Sequence, residues 1–145
     1  MSAQARFTKI SATGKPLAAA AKTWPVVSDQ KTDRMWATKP IAVADWKPAT
    51  IKKIEAQLRE SKLGGFDDWR IPTVEELFVL ADRTRTNPAI DEKFFPKCPS
   101  DWFWSSSPYA PSPGDCAWFV SFYSGLAYCY NRLSYGFVRA VRGGQ

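Results

Sequence analysis

Gly65-Phe66-Asp67-Asp68-Trp69-Arg70-Ile71-Pro72-Thr73-Val74-Glu75-Glu76-Leu77 is the stretch on which the fold turns. Thr73 with Glu76 three residues later forms a capping box: the hydroxyl accepts from a first-turn amide, and the carboxylate reaches back to the threonine amide. Leu77, Leu80 and Ala81 then supply the buried stripe of a helix. Ahead of it, Trp69 and Ile71 are too apolar to leave in water, so residues 64–72 are expected to plug the core rather than to link freely. Further upstream Ile51, Ile54 and Leu58 recur at i, i+3 and i+7 behind Pro48 and ahead of Gly64, with Lys62 in the last turn. That spacing predicts a second amphipathic helix, placing two helices within 46–84.

Outside the helices the patterning is that of short strands. Residues 6–10, 24–27 and 34–38 read as strands of an N-terminal β-element within 1–45, the last two joined by a run of turn formers from Ser28 to Asp33. After Thr84, the pairs Asn87-Pro88, Phe95-Pro96 and Cys98-Pro99 push the chain away from helix. A loop-rich sheet region over 85–145 comes next, with strands predicted at 102–105, 117–122, 126–130 and 137–142. Gly125 suits a tight hairpin between the second and third of these. The expectation is an α+β fold, two helices packed on a small twisted antiparallel sheet with long loops. At 145 residues one domain is the default.

Composition excludes several classes. No run approaches the roughly 20 apolar residues of a membrane span, and the short run 17–21 between Lys15 and Lys22 lacks the form of a secretion signal. The reading is a chain made in the cytoplasm. Lys plus Arg exceed Asp plus Glu by 20 to 14, but the basic residues are scattered, which favours a mildly basic surface over a polyanion site. Neither nucleic acid nor membrane is expected as a partner. Cys98, Cys116 and Cys129, odd in number and widely spaced, read as free thiols rather than as a disulfide framework or a zinc site. The chain has no histidine, which removes the commonest general base and metal ligand. The expectation is therefore no catalysis, no metal and no cofactor.

Three local constellations remain. Asp67, Asp68 and Arg70 lack the alternating oxygen ladder of a calcium loop and are expected to turn the chain and bridge backbone carbonyls. Trp102-Phe103-Trp104-Ser105-Ser106-Ser107 has no nucleophile elbow, and its hydroxyls are expected to satisfy loop backbone. Residues 123–135 crowd Tyr, Ser, Asn and Arg together without clean alternation. Two readings stand level there: a paratope-like surface, with stiff amphipathic tyrosines and a planar arginine fork, or an aromatic core hairpin with a polar tip. Under the first, the ligand-binding residues are Tyr123, Ser124, Tyr128, Tyr130, Asn131, Arg132, Ser134 and Tyr135.

The pieces Gly65 to Thr73, Phe94-Phe95-Pro96, Trp102 to Pro108, Ala117-Trp118-Phe119-Val120 and Val138 to Gly144, in this order, resemble the Lcl C-terminal-domain family. Arg6-Phe7-Thr8-Lys9 and Met35-Trp36 are similar to the opening of its bacteriophage and prophage members. The resemblance implies a C-type-lectin-like fold and binding more than chemistry. The Glu-Pro-Asn, Gln-Pro-Asp and Trp-Asn-Asp motifs of calcium-dependent sugar binding are missing, and so is the close cysteine pair of the related oxidases. Some relatives diversify C-terminal codons by reverse transcription at adenines, and every residue from Tyr128 to Tyr135 is reachable that way from an Asn codon. By resemblance, then, the chain is a non-catalytic phage or prophage domain recognising a bacterial surface protein or an acidic glycan, and the family's collagen-like adhesin suggests a homo-oligomer. The alternative is an intracellular phage effector that inhibits a host protein.

Overall fold

The computed structural model describes residues 5–144. Strands β1 (Phe7–Ile10), β2 (Val26–Asp29) and β3 (Arg34–Ala37) form an antiparallel meander. The fourth strand of that sheet is β9 (Val141–Gly143), added against β3 from the far end of the chain. The second sheet contains β4 (Ile41–Val43), β5 (Trp102–Pro108), β6 (Cys116–Ser121), β7 (Ala127–Asn131) and β8 (Gly136–Val138), in the spatial order β4-β8-β5-β6-β7. All its pairings are antiparallel except β5 with β8, which meet in parallel at Phe103 and Phe137. Helices α1 (Pro48–Ser61) and α2 (Val74–Leu80) complete an α+β fold.

Alternation within the strands divides the core in two. Val26, Trp104 and Phe119 face a cluster with Trp46, Ile54, Leu58 and Trp69. Their immediate neighbours Val27, Phe103 and Val120 face a second cluster with Trp36, Leu77, Leu80 and Phe95. A period of two along each strand sends successive side chains to opposite faces, so one sheet supports both clusters. Trp46 and Trp104 stack with centroids 6.2 Å apart, and the Trp46 indole donates to the Ser105 carbonyl at 2.9 Å.

The capping box forms as the sequence predicts: the Glu76 amide donates to Thr73 Oγ1 at 3.2 Å and the Thr73 amide to Glu76 Oε1 at 2.8 Å. Trp69 and Ile71 are buried, and the Ser105 and Ser107 hydroxyls serve backbone, donating to the Trp118 carbonyl and accepting from the Val74 amide. Asp67 lies in a bend, but Asp68 does more than turn the chain. Asp68 takes both ends of the Arg142 guanidinium, which holds its carboxyl below the usual range. Arg70 does bond one backbone carbonyl, that of Gly143 at 3.0 Å, but its main partner is Glu76, bonded through both carboxylate oxygens at 2.7 and 2.6 Å. Arg34 reaches the same carboxylate at 3.1 Å, so Glu76 ties α2, β3 and the connector together. Burial by itself raises the Glu76 pKa, yet the hydrogen bonds from Arg70 and Thr73 and the charges of Arg70 and Arg34 hold it lowered.

One expectation about the strands fails. The stretch 137–142 is not one strand: β8 ends at Val138 in the second sheet and β9 begins at Val141 in the first. At the break Arg139 turns inward, fully buried, donating to the Ala37 and Thr38 carbonyls and to Cys98 Sγ and lying near the rings of Phe95 and Phe103. The two sheets are joined at this point, and the N-terminal β-element is sewn into the remainder through β3–β9 and β4–β8.

Candidate functional site

Strand β7 sets the geometry of the site. It lies at the edge of the second sheet, paired only with β6, in the register Phe119 to Tyr128 and Ala117 to Tyr130. The hairpin that delivers it closes through Gly125, whose amide donates to the Ser121 carbonyl at 2.7 Å. Gly125 has φ +84°, and a β-carbon there would stand 2.7 Å from Arg83 Cγ, so glycine is required on both counts. With no further strand beyond it among the described residues, β7 leaves Tyr128 and Tyr130 about half exposed.

Tyr123, Leu126, Tyr128, Tyr130, Leu133 and Tyr135 each leave at least 44% of their surface exposed; the seventh exposed large hydrophobic residue among those described is Phe78 on α2. The inner edges of the tyrosine rings rest on other rings. Tyr128 lies 5.8 Å from Phe119, Tyr130 lies 4.9 Å from Trp102, and Trp102 stacks on Phe119 at 4.5 Å. Tyr135 donates its hydroxyl to Asp101 Oδ2 at 2.7 Å; that hydrogen bond, together with the carboxylate's charge, raises the phenol's pKa.

The polar residues in the same stretch have another job. Asn131 Oδ1 accepts from the Leu133 amide, and Ser124 Oγ from the Leu126 amide, so both side chains form turns. Arg132 donates through Nε to the Pro113 carbonyl and through Nη1 to the Trp46 carbonyl, each at 3.1 Å, while its own backbone pairs with Asp115 and Trp46. The guanidinium is a strap across three segments. Ser134 is half-buried, with its amide bonded to the Asn131 carbonyl. The structure therefore seats Tyr128 and Tyr130 on the stacked pair Phe119 and Trp102, places Tyr135 beside Asp101, and puts Tyr123 at the hairpin turn, where its carbonyl accepts from Asn87 and Thr86.

The site residues named from the sequence do not include Trp102, which is half-buried and supports Tyr130. Leu126 and Leu133 were missed as well, and only their position in a strand-poor, tyrosine-rich run could have pointed to them. The patch offers ring faces, phenols and one carboxylate, a set suited to stacking and hydrogen bonding. Among the described residues no three Cys, Asp or Glu side chains gather as metal ligands, and the cysteines are free, with Cys98 buried.

An α+β domain that displays an aromatic patch on one sheet edge is the class this geometry defines. The family model of the Lcl C-terminal domain matches residues 25–142, and the chain belongs to that family. The match spans β2 to β9, both helices and the whole patch. No curated protein matches the sequence.

Proposed function

We propose that the protein is a non-catalytic binding domain of phage or prophage origin whose recognition face is the aromatic patch of 123–135, taking a protein or a glycan on a bacterial surface. One observation supports this reading above the others: six of the seven exposed large hydrophobic side chains among the described residues fall in that segment. A concentration of exposed large apolar side chains in one segment marks an interaction surface. Tyrosines half-seated on a ring layer supply contact area at low conformational cost, because their rotamers are already limited. Tyr123, Tyr128, Tyr130 and Tyr135 make the contacts, with Trp102, Leu126 and Leu133; Ser124, Asn131, Arg132 and Ser134 hold the loops that present them. This seated arrangement suits a surface whose outer chemistry varies over a fixed layer, as in a diversified C-type-lectin-like domain.

The test is adsorption of the labelled full chain to a panel of intact bacteria, with protease or periodate pretreatment to separate protein from glycan receptors. Combined Tyr128→Ala and Tyr130→Ala should abolish adsorption while the melting temperature stays nearly unchanged. Unfolding of that variant would make the tyrosines framework, and adsorption that survives it would place recognition elsewhere. Recovery from host cytoplasm and absence from purified virions would instead favour an intracellular inhibitor.

A further inference from the structure

A second site lies away from the patch. The chain between β1 and β2 forms no helix or strand, yet it is firmly held: Lys9, buried, donates Nζ to the Ala19 and Ala21 carbonyls at 2.6 and 2.7 Å and sits 3.9 Å above the Trp24 ring. The Trp24 indole in turn donates to the Phe94 carbonyl at 2.9 Å. The segment so pinned walls a cleft of about 750 Å³ against Ala37, Thr38 and Leu63, a size typical of small-molecule sites.

The lining has a definite chemistry. Leu17, Trp24, Pro25 and Leu63 make its surface mainly apolar. Lys22 and Lys39 also line it, neither joins an ion pair among the described residues, and no lining residue is acidic. A cation is repelled by the two lysines, and a neutral hydrocarbon leaves them unused.

We propose that this cleft binds a small apolar carboxylate, its tail on Leu17, Trp24 and Leu63 and its anionic end met by Lys22 and Lys39. Lys9 is a positioning residue, since it preorganises the wall without reaching the ligand. None of these residues belongs to the aromatic patch, so the two sites stand or fall separately.

The probe is sodium decanoate, titrated calorimetrically into the full chain below its micellar concentration, with decanol as the neutral counterpart. The expected result is saturable one-to-one binding that decanol does not match. K22Q/K39Q should weaken it by about tenfold, as loss of two partly exposed charge contacts implies. Leu17→Gln should weaken it as well, at an unchanged melting temperature. Tyr128→Ala/Tyr130→Ala should leave it intact. The proposal is overturned if decanoate shows no saturable binding, if decanol binds equally well, if both cleft variants bind as the parent does, or if the tyrosine variant alone abolishes uptake.

Discussion

Strands β6 and β7 are neighbours paired along five registers, yet they have opposite fates. In β6, four of six residues are buried; in β7, none of five is. Both are rich in rings, so composition does not separate them. Position does: β6 lies between β5 and β7 with packed clusters on both faces, whereas β7 closes the sheet and no residue in it is fully buried. The same aromatic side chain is core in one strand and surface in the next. Labour is thereby divided, with folding energy invested in β5 and β6 and their partners and contact chemistry left to β7 and the loop behind it.

That division can be broken in graded ways. Trp46→Ala should have the largest effect, about 3–5 kcal/mol of lost stability by denaturant titration, because it empties a fully buried site and strips the Ser105 carbonyl of its donor. Glu76→Gln should cost about 2 kcal/mol near neutral pH by leaving two arginines poorly paired. Its pH dependence sharpens the point. A carboxyl whose folded pKa is lowered contributes stability above its unfolded value and loses it as pH falls through the folded one. The gap in melting temperature between parent and Glu76→Gln should thus narrow below the unperturbed pKa of 4.5.

Changes in the presenting segment should behave in the opposite sense, moving binding more than folding. Arg132→Gln should be intermediate, lowering the melting temperature modestly by releasing Pro113 and Trp46 and weakening adsorption through misplacement of the tyrosines. Tyr128→Ala or Tyr130→Ala alone should change stability by about 1 kcal/mol or less while reducing adsorption at least as strongly as Arg132→Gln. Asp101→Asn should be the smallest, detectable as a fall in the titration midpoint of Tyr135 by ultraviolet absorbance with no resolvable change in melting temperature. A Tyr128→Ala variant that unfolds would erase the distinction between the two strands.

Much of the fold was legible because its signals are local. The spacing of Ile54 and Leu58, the pairing of Thr73 with Glu76, and Gly125 in its hairpin act within a few residues, and all appear where the sequence placed them. In the site, the tyrosines were legible as a cluster, but their exposure was not, which is why a core hairpin stood level with a binding face. Arg132 looked like a ligand fork and is a strap, since the carbonyls it ties are 19 and 86 residues away.

By itself the sequence determined the α+β class, both helices, most strands and the concentration of tyrosines in one segment, because periodicity and caps are properties of neighbouring residues. Only the tertiary structure decided that Ile41–Val43 is a strand at all, that the chain changes sheets at Arg139, and that β7 is an edge. Those outcomes depend on which distant backbone completes each ladder and which side chains find cover, and no short window of sequence contains that information.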